Sequence, residues 1–179
     1  MVQFSKLKKT LEGFLCDSLK GRIEVHAAVY RHSHDDKSRV WLTLDKDQLF
    51  SAADLSFHMA HHYLYENIKE ELKLKPIPYS KSWEEMFNSP ERAVIVEVSD
   101  HVEQQLIEQG IMESWHLYKA FMEYPNLSIN EALSSKDSFT RAFALFDRRV
   151  GKRRLLKMET LQHPLEQKFY AIRCKAEGF

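Results

Sequence analysis

Glycine and proline are scarce, at five each in 179 residues, which argues against a turn-rich β-sandwich and against a long disordered tract. Helix should predominate. Net charge is absent as well: 26 basic and 26 acidic side chains cancel, so bulk attraction to nucleic acid or an anionic membrane is not indicated, and any charge-driven partner must meet a local patch. The two cysteines, Cys16 and Cys174, stand far apart in apolar-periodic stretches. They lack the paired spacing of a zinc or redox site and read as quiet buried thiols. No run approaches the ~20 apolar residues that cross a bilayer, and the start MVQFSKLKKTLEGFL lacks the unbroken apolar core of a secretory signal. The expectation is a soluble, cytoplasmic chain without a membrane partner. No phosphate-cradling Gly-rich loop and no nucleophile elbow is present, so no catalytic residue and no cofactor is assigned, and binding is favoured over catalysis.

What the chain does have is an apolar share of 44%, enough for the core of one domain spanning residues 1–179. Leu7, Leu11, Phe14, Leu15 and Leu19 recur at helical spacing, predicting an amphipathic helix that ends near Gly21. The period then changes to two. Ile23, Val25, Ala27 and Val29 alternate with more polar neighbours, as do Val40, Leu42 and Leu44, which predicts a β-hairpin around the loop HSHDDKS. After DKDQLF the helical stripe Phe57, Ala60, Leu64, Ile68 and Leu72 appears, with Ser51 and Asp54 in capping-box positions. It should stop before KPIPY, where two prolines intervene.

Ser82 with Glu85 predicts a short helix at SWEEMF, and the β-branched run AVIVEV at 93–98 reads as a third strand. Helices are expected from Asp100 to Gly110, Met112 to Tyr124, and onward from Ser128–Glu131. The last three run from Asp137 to Val150, Lys152 to about Leu161, and Leu165 to Ala176, the final one striped by Leu165, Phe169, Ile172 and Ala176. The order points to a mostly helical α+β single domain with a small antiparallel sheet.

One stretch is unusually charged: FDRRVGKRRLLK, Phe146 to Lys157, holds six cations and one acid in twelve positions. Phe139, Ala142, Phe143, Phe146 and Val150 form an apolar face, and continuing that face in one helix would aim Arg153, Arg154 and Lys157 at the core. Burying unpaired cations is costly. A break at Gly151 resolves the conflict and turns the stretch into a corner. Arg148, Arg149, Lys152, Arg153 and Arg154 then have three possible uses. They interact with helix-end carbonyls, they bind an anion such as phosphate or an acidic partner, or they lock onto acids such as Glu131 and Asp137.

His58 and His62, four apart, could present two imidazoles to a metal with His32, His34 or Asp35 as further ligands, but Met59 stands where a zinc-protease helix has glutamate. Metal binding therefore ranks behind a hydrogen-bonded histidine cluster. Asp45, Asp47 and Glu24 are a weaker magnesium candidate, since such spacing is common in turns.

The segments SKLKKTLEGFLCDSLKGRIEVHAAVYRHSHDD and ALFDRRVGKRRLLKM…FYAIRCKAEG resemble the two ends of a family of small, poorly characterised bacterial cytoplasmic proteins. HDDKSR departs from that family where a glycine is frequent. The resemblance implies an accessory of bacterial toxin systems, an immunity protein that binds and silences a toxin, and it supplies no catalytic residues. A protein partner is the leading expectation. The alternative is a nucleic-acid-associated protein, in its most specific form a metal-dependent nuclease, using the corner from Arg148 to Arg154.

Overall fold

The computed structural model describes residues 4–29, 38–158 and 161–179. They fall into two compact units, one made of residues 1–54 with 113–179 and the other of residues 55–112. The fold is mostly helical α+β, with one three-stranded antiparallel sheet among the described residues.

In the first unit, helix α1 (Phe4–Phe14) buries Leu7 and Leu11. It ends well before Gly21, because Leu15 leaves the helix to form an isolated antiparallel bridge with Asp147. Gly21 sits instead in the turn into the sheet with φ of 77°, a conformation that costs glycine little. Strands β1 (Ile23–Val29) and β2 (Ser38–Leu44) form the expected hairpin, pairing Ile23 with Leu44 and Val25 with Leu42. The third strand is β3 (Asp47–Ala53), not the run at 93–98. Asp45 and Lys46 both have positive φ, 52° and 76°, which is the geometry of a two-residue hairpin turn. Ser51 therefore lies within a strand and caps no helix.

Helix α1 packs on β1, while helix α5 (Ser114–Glu123) packs on β2 and β3. A 3₁₀ turn, Tyr124–Asn126, follows. Helix α6 (Ile129–Leu133) opens with both halves of the Ser128–Glu131 capping box. Helix α7 (Ser138–Ala144) is capped by Asp137, helix α8 is a single turn, Lys152–Leu155, and helix α9 runs Pro164–Glu177. The core is aromatic: Phe121, Tyr124, Phe139, Phe143, Phe146 and Phe169 are all fully buried, with Phe146 stacked on Phe169 at 4.4 Å.

The regular secondary structure of the second unit is all helix. Helix α2 runs Asp54–Leu72, and helix α3 (Trp83–Phe87) has the expected Ser82 cap, accepting from the Glu85 amide. Helix α4 (Pro90–Glu108) absorbs AVIVEV. Ser89 caps it, accepting from the Arg92 amide, and Pro90 occupies its first turn, so a strong helix start overrides the β-propensity of the valines. Phe57, Val102 and Leu106 form a small core, flanked by Ala60, Leu64, Tyr65, Ile68 and Ile111.

Candidate functional site

The corner begins earlier than Gly151. Helix α7 stops at Ala144, and the next residues tighten into i→i+3 bonds: Phe146 to Phe143 at 2.9 Å and Asp147 to Ala144 at 3.1 Å. Chain pairing takes over there, with the Arg148 amide donating to Phe14 O at 2.8 Å and the Cys16 amide to Phe146 O at 2.9 Å. Gly151 has an ordinary φ of −76° as the cap of α8, and a Cβ placed on it would meet nothing within 4 Å. The break is real, but it is imposed by residues 15 and 147 and not by the glycine.

Asp147 anchors this corner. Its side chain is fully buried and accepts from Tyr124 Oη at 2.7 Å, the Arg149 amide at 2.7 Å, and Arg149 Nε and Nη2 at 3.0 and 2.7 Å. Arg149 also donates to Leu127 O at 2.8 Å and lies over the Phe14 ring at 4.4 Å. The Asp147 carboxylate raises the Arg149 pKa, chiefly by hydrogen bonding, and burial beside the same carboxylate pushes the Tyr124 phenol far above its ordinary value. Arg149 is therefore committed to the Asp147 carboxylate and is removed from the set of presented cations.

Arg173 is a structural element of the corner that the sequence does not reveal. Helix α9 buries Leu165, Glu166, Phe169 and Arg173, so Arg173, not Ile172, continues the inward face. Its guanidinium donates to the carbonyls of Leu145, Asp147 and Val150 at 3.1–3.2 Å and pairs with Glu177 at 2.7 Å. These are carbonyls that a continuing α7 would have used. Glu177 four residues later was the available signal, an i,i+4 pair that neutralises a cation on an otherwise apolar stripe.

The remaining cations face outward. Arg148, Lys152, Arg153 and Arg154 are exposed. Arg154 donates to Asn130 Oδ1 at 2.7 Å, and the Lys152 ammonium lies 4.4 Å over the Phe179 ring. Glu131 and Asp137, expected as locking acids, serve their own helix starts instead: Glu131 accepts from the Ser128 amide at 2.8 Å, and Asp137 from the Thr140 amide at 2.8 Å.

His58 and His62 are exposed on α2, while His32, His34 and Asp35 lie outside the described residues. Among the described residues no three His, Cys, Asp or Glu side chains are grouped to hold an ion. The histidine between the pair, His61, is the structural one: its Nε2 lies 3.3 Å from both Ser99 O and Ser99 Oγ, tying α2 to α4. Asp45 is bound bidentately by Arg22 at 2.9 and 2.7 Å, which lowers its pKa through that hydrogen bond. Glu24 pairs with Lys8 at 3.5 Å. Both cysteines are free, with Cys16 buried and Cys174 half-buried.

The second unit has a different surface. Of the large apolar side chains left exposed among the described residues, nine belong to 55–112: Leu55, Met59, Tyr63, Leu72, Tyr79, Trp83, Phe87, Val94 and Val96. Only Trp115, Met122 and Leu156 lie elsewhere. Leu55, Met59 and Tyr63 form an i, i+4, i+8 ridge on α2, offset from the Phe57–Leu64–Ile68 stripe that faces the local core. Charge is equally uneven. Residues 55–112 hold ten acids and five bases, so that neutral totals conceal a unit of net charge −5 and a remainder of +5.

Comparison with known families matches residues 3–174 to the SF0329 protein family. The chain belongs to that family. The match runs through the middle of the sequence as well as both ends, so the helical unit and the basic corner are parts of one SF0329 chain. No curated protein and no solved structure is significantly similar to it.

Proposed function

We propose that this SF0329 protein is a non-catalytic, cytoplasmic protein-binding factor, of the bacterial immunity or accessory type, that holds a cationic and apolar segment of its partner against residues 55–112. The observation that carries this reading is the coincidence of nine exposed large apolar side chains with a net charge of −5 in one helical unit. Large apolar side chains left exposed in number suit partner binding, and aromatic residues such as Tyr63, Tyr79 and Trp83 are the usual anchors. Acids such as Glu66, Glu70, Glu97 and Glu103 supply the field that selects and steers a basic partner. A complementary surface suffices for silencing a toxin, and no reaction centre is required.

The test titrates the protein with a fluorescent amphipathic Lys/Leu helical peptide and with its Glu/Leu counterpart, following anisotropy. The Lys/Leu peptide should bind, weaken with salt, and lose roughly tenfold or more in affinity to a Met59→Ser/Tyr63→Ser protein. Equal binding of both peptides, or unchanged binding by the variant, would refute the reading.

A second reading, nucleic-acid association, draws on the exposed Arg148, Lys152, Arg153 and Arg154 in a unit of net charge +5. It requires binding to a labelled duplex whose affinity falls steeply with salt and vanishes when those four become alanine.

A further inference from the structure

A concave site lies in the first unit and takes Arg154 from the corner. It is an open pocket of about 530 Å³ between α6, α7, α8 and α9, lined by Leu133, Arg141, Leu145, Arg154, Lys157, Met158, Leu161 and Glu166. Its volume falls within the ordinary range of small-ligand sites. The apolar side chains Leu133, Leu145, Met158 and Leu161 make one part of the lining, and ionic groups make the rest.

The charges do not balance. Glu166, mostly buried, is already taken by Arg141, whose Nε and Nη2 approach its Oε1 at 2.8 and 2.7 Å. Arg141 Nη1 is spent as well, donating to Ser135 O and Lys136 O at 2.6 and 2.9 Å. That leaves Arg154 and Lys157. Arg154 uses only Nη1, on the neutral Asn130 amide, and Lys157 is exposed at the rim. Two cations thus stand beside the apolar side chains of a mixed pocket without a carboxylate of their own among the described residues. A guanidinium with a free edge beside an ammonium suits a carboxylate, which accepts paired hydrogen bonds.

We infer that this pocket binds a terminal carboxylate carrying an apolar group, with the head on Arg154 and Lys157 and the tail against Leu133, Leu145, Met158 and Leu161. Two sources share that chemistry, a free medium-chain carboxylic acid and the C-terminus of a polypeptide ending in an apolar residue.

The experiment measures calorimetric titration of the full chain with octanoate, octanol, N-acetyl-leucine and N-acetyl-leucinamide. At least one of the two carboxylates should bind, and its uncharged counterpart should bind roughly tenfold or more weakly, since a hydrogen bond to a charged group is worth about a factor of ten. Binding by octanoate alone assigns the free acid, and by N-acetyl-leucine alone the polypeptide terminus. Lys157→Gln, and Arg154→Gln with it, should remove the preference for the charged form, whereas Lys9→Gln, an equal change of net charge on α1, should not. Circular dichroism checks that the variants fold, and Lys157→Gln alone keeps the test valid should loss of the Arg154–Asn130 bond disturb the corner. Equal binding of charged and neutral probes, no binding of either carboxylate, or full retention of the preference in Lys157→Gln and the double variant would overturn the assignment.

Discussion

Asp147 and Gly151 stand four residues apart in the same charged stretch and have opposite importance. Gly151 has ordinary backbone angles and open space where a side chain would be, so Gly151→Ala should cost less than about 1 kcal/mol, the scale of losing a weak helix cap. Asp147→Ala strands the partly buried guanidinium of Arg149 and the buried Tyr124 hydroxyl, and should cost about 3–5 kcal/mol. Urea denaturation of the two variants separates these outcomes, and similar midpoints would contradict the structure. Tyr124 carries a pH consequence. Its folded-state pKa is raised by burial, so its contribution is complete below the unfolded value near 10 and is lost as pH rises above it. Absorbance titration of the seven tyrosines should leave Tyr124 un-ionised until the alkaline unfolding transition, and its ionisation in the folded protein would refute the buried placement.

At the scale of elements, segments whose ends are set by their own side chains were legible. Ser82 and Ser128 accept from amides three residues on, as their spacing promised. AVIVEV was not, because β-branched residues favour strand only where nothing stronger acts, and Ser89–Pro90 begins a helix just upstream. Val94 and Val96 are exposed on that helix, where alanine is the better helix former by about 0.5 kcal/mol. Val94→Ala and Val96→Ala should therefore leave the melting temperature unchanged or raise it slightly. A clear loss would point to strand pairing or to tight packing that the exposure denies. β3 escaped for a related reason: its turn uses Asp45–Lys46, both at positive φ, where glycine is the usual signal.

Over the whole molecule, the two units differ in how they are held. The first has a large aromatic core and a pinned corner, while the second buries Phe57, Val102 and Leu106 beneath many exposed apolar groups. Few buried contacts mean low local stability. Hydrogen exchange should proceed faster in α2 and α4 than in α1, α5 and α9, and equal protection would contradict that difference. The neutral total charge concealed the molecule's most useful electrostatic fact, because a sum over the chain does not say which residues fold together.

The sequence by itself determined the helical majority, the β1–β2 hairpin, the Ser82 and Ser128 caps and the need for a break ahead of Arg153, because each follows from periodicity or from neighbours within one turn. Only the tertiary structure decided where the corner falls, that Arg149 is tied to buried Asp147, and that Arg173 holds the turn. The partners are distant in the chain: Tyr124 is 23 residues from Asp147, and Arg173 is 26. A buried charge is stabilised by whichever group the fold brings to it, and local spacing carries no record of that choice.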